Sequence, residues 1–237
     1  MNKPFRRLLA ISDIHGQKKQ LLNVLAKAAY DPNKDQLIIC GDSIDRGNDS
    51  FAAFEICQSL QKKSAIYLKG NHESMMELSL RDMIENPGWQ KEPGRNITIW
   101  STCNGGKNTI ETLAQLSTTK LIQLFFYMRN MACYFTTDSY IFSHAGLNPS
   151  KSLDEQTEND LIWGTRHFYE APAYKNHTVI YGHTPTFYLP GTDKNIAKAS
   201  IWHDTIHKDK IDIDCGCVFG GRLACLELPL LKEYYSD

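Results

Sequence analysis

The sequence predicts an α/β protein folded as a single domain, with two facing mixed sheets and helices on their outer surfaces. Three observations carry that prediction. The first third alternates short apolar runs with helix-period segments, the order of a parallel sheet with covering helices. From residue 133 onward, short apolar strands broken by turns replace the helices. No linker, repeat or low-complexity tract separates the halves, so residues 1–237 read as one domain.

Taken in order, residues 6–12 read as a strand, and 17–29 as a helix with Leu21, Leu25 and Ala28 at helical spacing. A second strand follows over 36–41. The next helix, 50–63, has its turns marked by Phe51, Phe54 or Glu55, and Gln58. The third pair is a strand over 64–70 and a helix over 73–84 that stops before Asn86-Pro87. Residues 86–104 hold two prolines and no sustained period, and read as a loop or small cap. Segments 108–116 and 119–128 read as helices. Strands are then expected over 132–137, 140–146, 178–184, 210–216 and 221–228.

Bulk properties exclude several classes. With 26 basic and 27 acidic residues and a net charge of -1, no attraction to nucleic acid or an anionic membrane is expected. The apolar stretch near the start covers only residues 8–11. A signal segment needs about 7–15 such residues and a membrane helix about 20, so a cytoplasmic protein is expected. Seven scattered cysteines with no C-x-x-C fit a reducing compartment. Cys215 and Cys217 could join in holding a metal, but no partner ligands stand near them in the sequence.

Three strands of the first half end in polar loops, at 11–16, 40–47 and 69–74. Ligands of open parallel sheets bind outside the carboxyl ends of the strands, so these loops are expected on one rim. Asp13 and His15 are two apart, which on an extended chain puts both side chains on one side. Asp42 follows the second strand and offers a bridging carboxylate. Asn71 and His72 follow the third. His144 and His183 each follow an apolar strand in the second half and sit beside a glycine or alanine-glycine turn. A lone D-x-H is more often a turn with a satisfied histidine, but no structural need explains the whole series. Two Asp, one Asn and three His, with His72 to spare, suit divalent manganese, iron or zinc. They are enough for two ions sharing Asp42, about 3.5–4 Å apart.

“SDIHG”, “GDSIDRG” and “GNHE” resemble the three signature segments of the phosphoprotein phosphatases, within the calcineurin-like metallophosphoesterases. “SHAG” and “YGHTP” resemble the later metal-histidine segments. “NGGKNT” and “DCGCVFGGRLACLEL” resemble segments of the small bacterial serine/threonine type. The resemblance runs from about residue 8 to 228. It implies a four-layer αββα sandwich and two divalent ions, manganese first, with iron or zinc as alternatives. One ion would be held by Asp13, His15 and Asp42. The other would be held by Asp42, Asn71, His144 and His183.

The same resemblance, together with two-metal chemistry, implies a bridging water made acidic enough to attack phosphorus directly. His72 would then protonate the leaving oxygen, charged and oriented by Asp45. Arg46 would bind phosphate oxygens through its fork of donors, and Asn71 would join it. Gly47 would let the chain turn into the next helix. The family pairs a tryptophan with a nearby arginine, and Trp163 and Arg166 match at a spacing of three rather than two. Arg222 is the fallback.

The leading expectation is a phosphomonoesterase for phosphoserine and phosphothreonine, acting on a phosphoprotein or small phosphorylated substrate. The rival is symmetrical hydrolysis of dinucleoside tetraphosphates, a branch that is longer and often lacks the aspartate matching Asp45. Diesterases carry Asp where this chain has Glu73. A non-catalytic phosphoprotein-binding module should have lost one of the site residues. Specificity is expected in 86–104 and 186–208, which carry Trp89, Lys91, Arg95, Trp100 and Trp202. His203 and His207 are expected in a hairpin near the rim, and His167 and His177 have no motif.

Overall fold

The computed structural model describes residues 7–237. The chain begins β1 (Arg7–Ile11), α1 (Lys18–Lys27), β2 (Asp35–Ile39), α2 (Ser50–Gln61), β3 (Ile66–Tyr67) and α3 (Asn71–Glu85). Three helices follow, α4 (Arg95–Cys103), α5 (Lys107–Leu113) and α6 (Thr118–Arg129). The second half holds β4 (Tyr134–Thr136), β5 (Tyr140–Ser143), α7 (Glu158–Ile162), β6 (Thr178–Tyr181), β7 (Trp202–His203) and β8 (Lys210–Asp212). It closes with β9 (Ala224–Leu228) and β10 (Lys232–Tyr235).

The strands form two five-stranded sheets, in the orders β10-β9-β1-β2-β3 and β4-β5-β6-β8-β7. β1, β2 and β3 run parallel, and so do β5, β6 and β8. Period-2 alternation builds the layers. Leu9, Ile11, Leu37 and Ile39 turn toward the helices and meet Phe54, Leu80 and Trp100. Their neighbours Ala10 and Ile38 turn the other way and meet Phe142, Ile180 and Leu226 between the sheets. On the second sheet, Ile141 and Val179 face outward onto Leu161, Ile162 and Phe168. Three apolar clusters between four layers make the αββα sandwich. β2 is buried along its whole length, as a central parallel strand covered on both faces must be.

Several expectations change. The buried face of α2 is Ser50, Ala53, Phe54 and Cys57, not a face marked by Phe51 and Gln58. The 86–104 stretch is not a plain loop, because it carries α4, which buries Ile97 and Trp100. The expectation of two mixed sheets holds: β9 returns from the second half to pair antiparallel with β1, which makes the first sheet mixed. His203 does lie in a hairpin, but β7 runs antiparallel to β8. Its turn therefore sits at the start of β8, the end of the sheet opposite the rim. His203 bonds Glu233 there and His207 lies against the Glu170 carbonyl. Among the described residues, no helix is long and apolar enough to cross a membrane.

Candidate active site

Every loop of the site leaves the carboxyl end of a parallel strand. β1 delivers Asp13 and His15, β2 delivers Asp42, Asp45 and Arg46, and β3 runs into α3, which opens with Asn71 and His72. β5 delivers His144 and β6 delivers His183 from the facing sheet. Of eleven non-glycine residues with positive φ among the described residues, six are Asp13, His15, Asp42, Asp45, Arg46 and His183. Such positions cost of order 1–3 kcal/mol each and persist only where the surroundings enforce them. Here the enforcement is a set of loop-to-loop hydrogen bonds, His15 N to Asp42 O at 2.9 Å, Gly16 N to Ser43 O at 2.8 Å and Arg46 N to Gly105 O at 2.9 Å. Asp13 and His15 therefore converge through left-handed turns, not through strand alternation.

Glu73 is the anchor that the sequence reading used only as a branch marker. Its carboxylate accepts from the backbone N–H groups of Asp42 (2.8 Å), Ser43 (2.9 Å) and Gly70 (3.0 Å), and from the Tyr67 hydroxyl at 2.9 Å. It ties the β2 loop to the start of α3. Gly70 is required by closeness, since a Cβ there would stand 2.1 Å from Asp42 Oδ1. Gly47 is likewise a close-approach residue, with its missing Cβ 2.2 Å from the His15 carbonyl; its φ is not in the left-handed region.

The ligating atoms fall into two groups joined by one carboxylate. His15 Nε2 lies 3.8 Å from Asp13 Oδ1 and 3.5 Å from Asp42 Oδ2. Asp42 Oδ2 is also 3.4 Å from His144 Nε2. His144 Nε2 is 2.8 Å from Asn71 Oδ1 and 3.2 Å from His183 Nδ1, and His183 Nδ1 is 3.1 Å from Asn71 Oδ1. His144 donates Nδ1–H to the Cys40 carbonyl at 2.8 Å, and His15 donates Nδ1–H to the Ile44 carbonyl at 2.9 Å. Both Nε2 atoms are thereby left as lone pairs facing the cluster, the usual second contact of a metal-bound imidazole.

The electrostatics fit divalent ions. Burial, then His72 and Arg46, holds His15 neutral, well below the usual histidine range. Burial, then His144, brings His183 down to about 3. Burial, then Glu73 and Asp13, pushes Asp42 well above the usual carboxylate range. Lone pairs of Asn71 and His144 point at each other, and among the described residues no lysine or arginine forms an ion pair with the buried Asp42 carboxyl, which feels Arg46 only at longer range. A dication relieves both. Arg46 brings a guanidinium to the cluster, with Nη1 2.5 Å from His15 Nε2 and Cζ 5.4 Å from the centre of the Phe219 ring.

Beside this cluster, His72 Nδ1 meets Asp45 Oδ2 at 2.6 Å. Asp45 also accepts from Trp100 Nε1 at 2.5 Å and from Thr109 Oγ1 at 2.5 Å. Burial raises Asp45 to about 7, against the pull of Thr109, Trp100 and Arg46. Burial also lowers His72, helped by Arg46 and His144. The two shifts describe one buried pair that resists net charge. Its neutral form carries two protons, and one of them sits on His72 Nε2. That atom is buried, without a hydrogen-bond partner among the described residues, and 3.8 Å from Asp42 Oδ2. No isolated imidazolium is required.

The structure thus brings Asp13, His15, Asp42, Asn71, His144, His183, His72, Asp45 and Arg46 together. Arg166 is exposed on a short turn (Arg166–Phe168) and, among the described residues, makes no side-chain hydrogen bond or ion pair with this cluster. Trp163, three residues earlier, does approach, its ring 6.0 Å from that of His183. Arg222 is committed elsewhere, donating to the Ala199 carbonyl at 2.8 and 3.1 Å and stacking on Tyr235. The sequence reading missed Trp100 and Thr109 as partners of Asp45. The “NGGKNT” segment was the available signal, since it supplies both Thr109 and the Gly105 carbonyl that holds Arg46.

Residues 6–221 match the family model described as calcineurin-like phosphoesterase. The chain is 25% identical over 251 residues to a bis(5'-nucleosyl)-tetraphosphatase PrpE [asymmetrical] of Halalkalibacterium halodurans, covering 94% of this chain and 90% of that protein. It is 27% identical over 239 residues to serine/threonine-protein phosphatase 1 of Salmonella typhimurium, covering 93% of this chain and 91% of that one. The crystal structure of a cold-active protein-tyrosine phosphatase from a psychrophilic Shewanella species superposes with a TM-score of 0.60 at 15% identity, over 99% of this chain and 81% of that one.

Proposed function

The chain belongs to the calcineurin-like phosphoesterases, and we propose that it hydrolyses phosphoric esters or anhydrides with a pair of divalent ions. One observation carries the proposal. Asp42 Oδ2 stands 3.5 Å from His15 Nε2 and 3.4 Å from His144 Nε2, so a single carboxylate links two groups of ligands. Asp13, His15 and Asp42 would hold one ion, and Asp42, Asn71, His144 and His183 the other. When bound, the pair would acidify a water and polarise the phosphoryl group; manganese is proposed first, with iron or zinc as alternatives.

The chain's own residues do the rest. His144 and His15 keep their Nε2 lone pairs turned inward by giving Nδ1–H to backbone carbonyls. Arg46 gives the phosphoryl oxygens a charged, forked donor. Arg166, exposed and without an ion-pair partner among the described residues, is proposed as a second phosphate contact. His72 delivers the proton held at Nε2 to the leaving oxygen, and Asp45 fixes its ring through Nδ1.

Two substrate readings follow. The built proton donor favours a monoester such as phosphoserine or phosphothreonine, because an alkoxide is a poor leaving group. The names of relatives that span nearly the same length favour a nucleoside polyphosphate. Metal-stripped protein titrated with manganese, assayed on p-nitrophenyl phosphate, a phosphothreonine peptide and diadenosine tetraphosphate, tests the proposal. Metal-dependent turnover supports it, and the ratio of the last two ranks the readings. No turnover with manganese, iron or zinc would overturn it.

A further inference from the structure

We propose that the open groove between α3 and α6 docks an acidic amphipathic helix of a partner protein, a role that goes beyond the phosphoesterase reading and does not rest on it. Helix α6 is apolar on two faces. Leu121, Leu124 and Met128 pack into the core with Met76, Leu80 and Met83 of α3. The second face carries Ile122 and Phe126, one turn apart, and they are 37% and 56% exposed. One apolar stripe is enough to seat a helix on its own core. A second stripe, contiguous and open, marks an interaction surface.

The stripe borders a recess. Ile84 of α3 and Ile122, Phe125 and Phe126 of α6 line a cavity of about 340 Å³. The Phe125 and Phe126 rings meet edge to face, with centroids 5.3 Å apart. The groove also lies away from the candidate active site. Helix α3 opens with Asn71 at the site, and Arg81 on the groove is ten residues further, about 15 Å along the axis at the α-helical rise. A partner held there leaves the proposed metal ligands uncovered.

Charge selects the occupant. Arg81 Cζ stands 6.0 Å and Arg129 Cζ 5.8 Å from the centre of the Phe125 ring, within reach of a cation–π contact. Both arginines are exposed, and neither forms an ion pair or a side-chain hydrogen bond among the described residues. Glu85 is the one carboxylate among the described residues that lines the groove, so positive charge is in excess there on a chain of net charge -1. Two guanidinium forks beside an apolar recess match carboxylates that flank apolar side chains. An amphipathic helix with apolar anchors at i and i+4 among acidic residues supplies that pattern. A lipid surface would leave the recess unfilled, and a second copy would set two positive grooves face to face.

The test is fluorescence anisotropy of the full chain with a fluorescein-labelled helical peptide that carries Leu and Phe at i and i+4 among glutamates. Two control peptides replace the glutamates by lysine, or Leu and Phe by alanine. Saturable binding of the first peptide is expected, weakening with added salt, and about tenfold weaker or more for each control. Phe126→Ala and the double variant Arg81→Glu/Arg129→Glu are each expected to lose about tenfold or more in affinity. These side chains are outside the proposed ligand set, and a urea midpoint close to wild type shows that the variants fold. No saturable binding up to about 1 mM peptide, equal binding of either control peptide, or wild-type affinity in both variants overturns the proposal. A dimer in sedimentation equilibrium that Phe126→Ala dissociates overturns it in favour of a second copy. Co-sedimentation with phosphatidylserine vesicles that the double variant abolishes overturns it in favour of a membrane. Absence of phosphatase turnover in wild type would strike the function proposed above and leave the docking groove standing.

Discussion

Trp100 donates its indole N–H to the same oxygen of Asp45 that receives His72 Nδ1, at 2.5 Å and 2.6 Å respectively. A tryptophan buried in the helical layer thereby sets the position of the proposed proton donor. Asp45 needs such support, because burial works against its charge. Trp100→Phe keeps most of the packing and removes the donor. The expected loss of stability is about 1.5–3 kcal/mol, the scale of a hydrogen bond to a charged group, measured by urea denaturation. The expected loss of kcat on a phosphothreonine peptide is about tenfold, part of what acid catalysis supplies. Unchanged kcat at reduced stability would make Trp100 packing alone.

His72→Asn tests the donor itself. Removing a general acid costs about 10²–10⁴ in rate when the leaving group is basic. The loss should be large for phosphothreonine and clearly smaller for p-nitrophenyl phosphate, whose phenolate leaves without help. Metal binding should survive. Equal losses on the two substrates would sink the assignment.

Asp42→Asn separates metal from fold. The Asp42 carboxyl is buried against Glu73 and Asp13, so removing its charge should raise the melting temperature of the metal-free protein. Manganese at 100 times its dissociation constant should stabilise wild type by about 2.7 kcal/mol per site. The variant should gain far less, because both ligand groups share this residue. Binding of a single ion by wild type, measured by metal analysis, would refute the shared-carboxylate arrangement.

Much of the site was legible because each ligand closes an apolar strand. The loops at 11–16, 40–47 and 69–74 could be placed on one rim from the β-α alternation of the first half, and His144 after “YIFS” and His183 after “VIYG” stood out as histidines that close apolar strands. The partners of Asp45 were not legible. Trp100 and Thr109 lie 55 and 64 residues from it, and a tryptophan or threonine in a helix is by default packing. Helix α4 escaped notice because only Ile97 and Trp100 of its nine residues are buried, too few to mark a period. Nothing local predicts that β9 crosses back to β1, pairing Leu228 with Leu8. The left-handed turns at Asp13 and His15 break the preference of ordinary residues; only the hydrogen bonds from the β2 loop explain them.

Acid sensitivity should trace in part to Asp160, which is outside the cluster of proposed ligands. Burial alone would raise its carboxyl, but Lys151 Nζ at 2.6 Å, Thr157 through Oγ1 at 2.6 Å and N at 2.9 Å, and Asn148 at 3.1 Å hold it well below the usual range. A carboxyl whose folded pKa is depressed adds stability above its unfolded value of about 3.9 and loses it as pH falls toward the folded value. Asp160→Asn keeps an acceptor for Thr157 and gives up the charge. At pH 7 it should be less stable by about 1–2 kcal/mol. Between pH 4 and the acid limit of folding, in buffers chosen on the order of half a unit apart, the wild-type advantage should shrink toward zero. A difference in urea midpoint that stays constant across that window would place the contribution of Asp160 in packing rather than charge.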